Sequence, residues 1–258
     1  MPQLERRRRL GPNPSARIAV HALALLPLAL LAFDYYTDNL SANPIQDITF
    51  RTGKPALILL VASLAVTPAN TLLGWRRAIP FRRTLGLYAF FYAVLHFLTF
   101  TVVDYALDPV LLKEGIFEKP YALVGFAAFL TLVPLALTST KGWQRRLGRR
   151  WTKLHRLVYL TALLVVVHYV WLVKSDVRQP LAWGAVVISL LLLRVPAVRR
   201  RAAALRANLS PPKRDRQQNL AGTVGTGRAE RAPVDEDSMA VGVGHVDVVP
   251  SIHLDGPG

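Results

Sequence analysis

Four histidines lie in or beside long apolar runs of the chain: His21, His96, His155 and His168. Imidazole is costly in hydrocarbon, so an ionisable side chain inside an apolar span is a candidate functional group by default. The ordinary alternative for a single such residue is a hydrogen bond to a neighbouring helix. That alternative is preferred for His21, which stands alone near one end of the first run. His96, in "LGLYAFFYAVLHFLTF", and His168, in "VVVHYVWLVK", read differently because they form a pair. At about 1.5 Å per helical residue, His96 lies roughly 18 Å along its run from Thr84, and His168 roughly 21 Å along its run from Leu154. Two neutral imidazoles at matched depth, on helices running the same way, can ligate one haem iron from its two faces. Such ligation leaves no open coordination position, which favours electron transfer over O₂ binding.

His155 shares the run "RRWTKLHRLVYLTALLVVVHYVWL" with His168 but lies roughly 19 Å from it along the axis. It could serve a second haem, so one or two haem b groups are expected. Two features count against the second. Thirteen helical steps leave the two histidines roughly 140° apart around the axis, a mismatch that a kink could reconcile. The third run offers Arg82 and Arg83 where a partner histidine is wanted; guanidiniums cannot ligate iron, though they could pair with haem propionates. Tyr88 and Tyr92 share a helix face with His96 by their four-residue spacing, and ordinary packing is the favoured role for both. Trp143 and Trp151 read as interfacial anchors, and Thr67, Thr99 and Thr161 as helix glue.

The elements that must position these residues follow from composition. Of 258 residues, 52% are hydrophobic, yet the formal net charge is +16. The two facts coexist because apolar and basic residues occupy different blocks. Spanning a bilayer takes about 20 apolar residues, and six stretches reach or approach this: 18–34, 55–74, 84–103, 121–138, 154–173 and 181–198. None holds Asp or Glu in its interior. The expected fold class is therefore all-α, a polytopic membrane helix bundle of about six transmembrane helices. The first stretch follows a basic segment, Arg6 to Arg9, but ends in "LAFDYYTDN" without a small-residue cleavage pattern, so it is read as a retained signal anchor. With no cysteine in the chain, disulfides, thioether-linked haem and thiolate-bound clusters are excluded.

Lysine and arginine fall unevenly between alternate loops, twenty on one side against six on the other. The positive-inside rule then puts both termini in the cytoplasm. The basic charge is thus topological, with contact to the anionic lipid bilayer expected and nucleic-acid binding not. The expected organisation is a basic cytoplasmic N-terminus (1–17), a six-helix haem-binding domain (18–201) and a disordered tail (202–258) rich in Gly, Pro and charge. His245 and His253 fall in that tail and are expected to be solvent-exposed. No repeat of 20 to 50 residues is visible.

The segments "TGKPALILLVASLAVTPAN", "RRTLGLYAFFYAVLHFLTF", "LALTSTKGWQRRLGRRWTKLHRLVYL" and "VVVHYVWLVK" follow one another in an order that resembles the MsrQ (YedZ) family, within the ferric-reductase-like transmembrane superfamily. The resemblance covers roughly residues 50 to 200. It implies b-type haem held by His96 and His168, with His155 the further family histidine, and an FMN cofactor to which no residue is assigned. It implies electron entry from the quinone pool or a cytosolic flavin reductase, across the bacterial cytoplasmic (inner) membrane. Delivery would be to a periplasmic molybdopterin-containing methionine-sulfoxide reductase subunit that repairs oxidised proteins, so the catalytic site is expected on a partner chain. A self-contained reductase would need a nucleotide-binding domain that the roughly 60 residues after the spans are too few and too polar to form. The reading from a different class is a proton-coupled transporter with the histidines as relays. Transporters usually carry intramembrane carboxylates and broken helices as well, and no mid-span Asp or Glu is present.

Overall fold

The computed structural model describes residues 13–173 and 176–195, together with 198 and 200. The basic segment 6–9 and the tail from 202 lie outside the described residues, as do His245 and His253. The described chain is helical. In order it forms α1 (Pro14–Tyr36), α2 (Pro44–Leu73), a 3₁₀ turn (Arg76–Ala78), α3 (Phe81–Leu98), a π-helical turn (Thr99–Asp104) and α4 (Pro109–Phe117). Then follow α5 (Pro120–Leu137), α6 (Lys141–Leu147), α7 (Arg149–Leu154), α8 (Leu157–Leu172) and α9 (Arg178–Leu192).

Helix starts and stops follow local chemistry. Pro44 opens α2 with its fixed φ, and the Asn43 side chain accepts from Gln46 N at 3.2 Å. Asp108 does the same for α4, accepting from Val110 N at 2.8 Å and Leu111 N at 3.1 Å. Gly74 ends α2 at φ +68°, a left-handed cap that favours glycine.

Five helical segments are long and apolar enough to cross a membrane: Pro14–Tyr36, Pro44–Leu73, Phe81–Asp104, Pro120–Leu137 and Arg149–Leu172. The expected sixth run yields a helix of 15 residues, Arg178–Leu192, about 22 Å long against a hydrocarbon core of about 30 Å. Its regular part stops short of 198 because the chain turns at Leu193–Arg194, where Arg194 reaches back into the bundle. Arg194 donates to Leu64 O at 2.6 Å and to Tyr159 OH at 2.8 Å.

α2 packs chiefly on α3, and α5 chiefly on α8; α9 lies on α8, and α1 lies against α2 and α3. The buried centre joins Leu57, Leu60, Val61 and Leu64 of α2 to Ala89, Leu132, Ala162 and Val187 of four other helices. Two fully buried small or hydroxylic residues, Ala162 and Thr161, let α5 and α8 close up, and the Thr131 and Thr161 hydroxyls meet at 2.7 Å. Thr161 and Thr99 also donate to the carbonyls four residues back, Leu157 and Leu95.

α1 is held by one buried hydroxyl. Pro27 has no N–H to offer Leu23 O, and at the next rung Tyr92 OH inserts into the ladder, accepting from Leu28 N at 3.1 Å and donating to Ala24 O at 2.8 Å. Tyr92 has no exposed surface. Tyr88 meets His21 Nδ1 at 2.7 Å on the same side of α3. Both tyrosines therefore serve α1 packing, and His21 makes a helix-to-helix hydrogen bond.

The run containing His155 and His168 is not one regular helix. α7 stops at Leu154, and His155–Arg156 form a tightened turn in which Arg156 N bonds Lys153 O at 3.2 Å and Tyr159 N bonds Arg156 O at 3.0 Å. Such i to i−3 bonding advances the chain about 120° per residue instead of about 100°, which reduces the angular mismatch between the two histidines.

Candidate functional site

His96 sits near the end of α3, His168 near the end of α8. His96 Nδ1 lies 3.0 Å from Thr49 O of α2, and His168 Nδ1 lies 2.7 Å from Tyr121 O of α5. A carbonyl only accepts, so each Nδ1 carries the proton and each Nε2 keeps its lone pair. This second-shell pinning is how ligating imidazoles are usually oriented.

Glycines make the approach possible. A Cβ on Gly53 would lie 3.0 Å from His96 Nδ1, and one on Gly125 would lie 2.6 Å from His168 Nδ1. Each glycine stands one helical turn after the carbonyl that its histidine grips, so ring and helix backbone touch where a side chain would otherwise stand.

The two rings meet edge-on, with centroids 6.2 Å apart and planes 81° apart. They line a cavity of about 820 Å³ that runs between α2, α3, α5 and α8, walled by Leu57, Leu60, Phe97, Phe126, Phe129 and Leu132. That volume falls within the range of about 300–1,000 Å³ typical of cofactor sites, mostly apolar with a few fixed polar groups. Among the described residues no three His, Asp or Glu side chains cluster to hold a bare metal ion. Two neighbouring imidazoles, each with Nε2 left unprotonated, suit a metal whose remaining ligands come from a planar macrocycle. With metal–imidazole bonds of about 2 Å and each nitrogen about 1 Å from its ring centre, shared ligation sets the centroids about 6 Å apart, as found.

His155 is elsewhere. It lines a separate cavity of about 220 Å³ with Arg82, Arg83, Gln144 and Trp151. The Trp151 ring stacks on it at 4.0 Å, and its Nε2 lies 3.2 Å from Thr138 Oγ1. That hydroxyl donates to Pro134 O at 2.6 Å, so His155 Nε2 is the donor in the pair, the opposite tautomer to His96 and His168.

Sequence reasoning picked out the paired histidines but missed Gly53, Gly125 and the two carbonyls. A signal was present: each glycine precedes its histidine by the same 43 residues, and each carbonyl precedes its histidine by 47.

Comparison with known proteins agrees with this architecture. The family model described as "Ferric reductase like transmembrane component" matches residues 18–166. The "Protein-methionine-sulfoxide reductase heme-binding subunit MsrQ" of Xanthomonas axonopodis pv. citri is 46% identical over 187 residues, 70% of this chain and 86% of that protein. The protein of the same description from Rhodospirillum rubrum is 47% identical over 200 residues, 77% of this chain and 94% of its own length. No solved structure matches. The chain is a multi-pass membrane protein and belongs to the MsrQ family of ferric-reductase-like transmembrane components.

Proposed function

We propose that the chain is a haem-binding electron-transfer subunit serving a methionine-sulfoxide reductase, in which His96 and His168 would hold one b-type haem. The observation that carries this reading is the pair of neighbouring imidazoles, each with Nδ1 committed to a backbone carbonyl and Nε2 left to coordinate. Relatives described as heme-binding subunits of protein-methionine-sulfoxide reductase support it.

When bound, the haem supplies one-electron redox chemistry at its iron. The chain's own residues do the rest. Thr49 O and Tyr121 O hold the imidazoles against rotation, and Gly53 and Gly125 let them seat. The apolar walls around Phe97, Phe126 and Phe129 keep water from the iron's surroundings. Held by both imidazoles, a haem there would be suited to electron transfer in preference to O₂ binding.

The wider reading follows the basic-residue asymmetry. α9 is the sixth span, both termini and the arginine-rich end face the cytoplasm, and the His96–His168 cavity lies toward the periplasm of the inner membrane. Electrons enter from the quinone pool or a cytosolic flavin reductase, with FMN as a further cofactor. They leave to a periplasmic molybdopterin-containing reductase subunit that docks on the loop 104–120. His155 serves as a supporting residue at the cytoplasmic end.

The test is an absorption spectrum of the purified full-length chain before and after dithionite. A low-spin b-type spectrum that is lost in His96→Ala and in His168→Ala, and kept in His155→Ala, supports the assignment. A folded, colourless protein overturns it.

A further inference from the structure

The cavity that holds His96 and His168 is not uniform along its length. Toward the buried centre of the bundle it is lined by Leu57, Leu60, Ala89 and Leu132. Its charged and amide lining comes from elsewhere: Lys54 in the first half of α2, Asp104 in the turn after α3, Lys119 at the cap of α5 and Gln179 in the first turn of α9. The grips on the two imidazoles repeat at a spacing of 72 residues, with Thr49 and Tyr121 as carbonyls, Gly53 and Gly125 as seats, and His96 and His168 as rings. Each grip has a lysine beside it. Lys54 directly follows the seat Gly53, and Lys119 stands two residues before Tyr121.

Neither lysine is spoken for by an acid. The ion pairs among the described residues join Arg51 to Asp34 and Asp47 only, so Lys54 and Lys119 have no carboxylate partner there. Asp104 is the one carboxylate among the described lining residues, so the two ammonium groups outnumber it. Lys119 Nζ donates to Tyr105 OH at 2.7 Å and keeps further N–H groups to give. Tyr105, accepting there, retains its own proton as a donor, and its ring rests on Gly115, where a Cβ would lie 2.5 Å from it. Gln179 accepts from Tyr169 OH through Oε1 at 2.7 Å, which leaves its amide N–H groups as donors. A b-type haem matches this polarity. Its macrocycle is apolar, but one edge carries two propionate carboxylates, and a carboxylate without partners is costly to place in an apolar wall. The end toward Leu60, Ala89 and Leu132 offers those carboxylates no donor, whereas the lysine end offers two cations.

We propose that Lys54 and Lys119 are positioning residues for the haem, their ammonium groups pairing with its two propionates and so fixing which edge of the macrocycle faces the segment 104–120. Tyr105 and Gln179 stand beside them as further donors. The proposal rests on the reading of His96 and His168 as the residues that hold the haem, and it adds the orientation of the group within the cavity.

The test is haem release from the purified full-length holoprotein to an excess of apomyoglobin, followed by absorbance. Lys54→Gln and Lys119→Gln are expected to keep the low-spin spectrum while releasing haem about threefold faster or more each, and the double variant about tenfold faster or more. Both side chains are exposed, so neither substitution disturbs the packed core. Lys119→Arg should recover most of the retention. Arg178→Gln, an exposed cation that does not line the cavity, should match the parent chain. Exchange of the bound haem for its dimethyl ester distinguishes propionate pairing from general loosening. With no carboxylate left to hold, the parent chain and the lysine variants should release the ester at the same rate. The proposal falls if the lysine variants retain haem as long as Arg178→Gln does, or if they speed release of the ester by the same factor as release of haem. A parent chain that carries no haem removes the reading of His96 and His168 and this proposal with it, whereas an intact spectrum with unchanged release overturns this proposal alone.

Discussion

The large and small cavities lie toward opposite ends of α3, α5 and α8, yet they are built to different ends. In the large one, both imidazoles are gripped through Nδ1 by backbone, both rest on glycine, and aliphatic and phenyl side chains such as Leu57, Phe97 and Phe129 form part of the wall. In the small one, the single imidazole is gripped through Nε2 by a threonine hydroxyl, lies under an indole, and has arginines for company. The contrast shows how little is needed to redirect a site. Seventy-two residues separate His96 from His168, and the same spacing before His155 falls on Arg83, so the small cavity has one imidazole where the large one has two.

The largest expected effect that could break this comparison is at the ligands. His168→Ala should abolish the reduced b-type spectrum, whereas His155→Ala should leave it; equal losses would erase the distinction between the cavities. Next come the seats. Gly125→Ala puts a Cβ 2.6 Å from His168 Nδ1, while Gly53→Ala puts one 3.0 Å from His96 Nδ1. Overpacking of this kind costs about 1–3 kcal/mol. Haem retained per chain should therefore fall more in Gly125→Ala than in Gly53→Ala, and the reverse order would show that the rings are not held as described.

Tyr92→Phe should lower stability by about 1–3 kcal/mol, because Leu28 N and Ala24 O lose their shared partner. Thermal unfolding should report this with the haem spectrum unchanged, since the tyrosine faces α1 and not the cavity. Thr138→Val is the mildest. It removes the neutral hydrogen bonds to His155 and to Pro134 O, each about 0.5–1.5 kcal/mol, and should leave the spectrum of the His96–His168 pair intact.

How much of this was legible in the sequence depends on where the information resides. Spans show as apolar blocks because hydrocarbon tolerates little else, and His96 and His168 stand out against them for the same reason. The grip on each histidine was not legible, because its acceptor is a backbone carbonyl and any residue type at 49 or 121 can supply one. Gly53 and Gly125 look like ordinary small residues in apolar helices until the rings that rest on them are known. The 72-residue registry was hidden by its length and by the few identities across it, with Gly53/Gly125, Leu60/Leu132 and His96/His168 among them. The break at His155–Arg156 has no proline or glycine to announce it. The sixth run, read as 181–198, is longer than its helix because a fold-back of Arg194 onto Leu64 O leaves no mark in the hydropathy of the segment.

The hydroxyl of Tyr92 bears on how the bundle assembles. Beside Pro27 the α1 ladder is opened at the rung between Leu28 N and Ala24 O, and in lipid an unsatisfied backbone group costs several kcal/mol. With the ladder opened there, both groups depend on the Tyr92 hydroxyl that α3 brings. The first helix is thereby bound to a conditional membership: its residence in the membrane is comfortable only once the third helix has arrived to complete it.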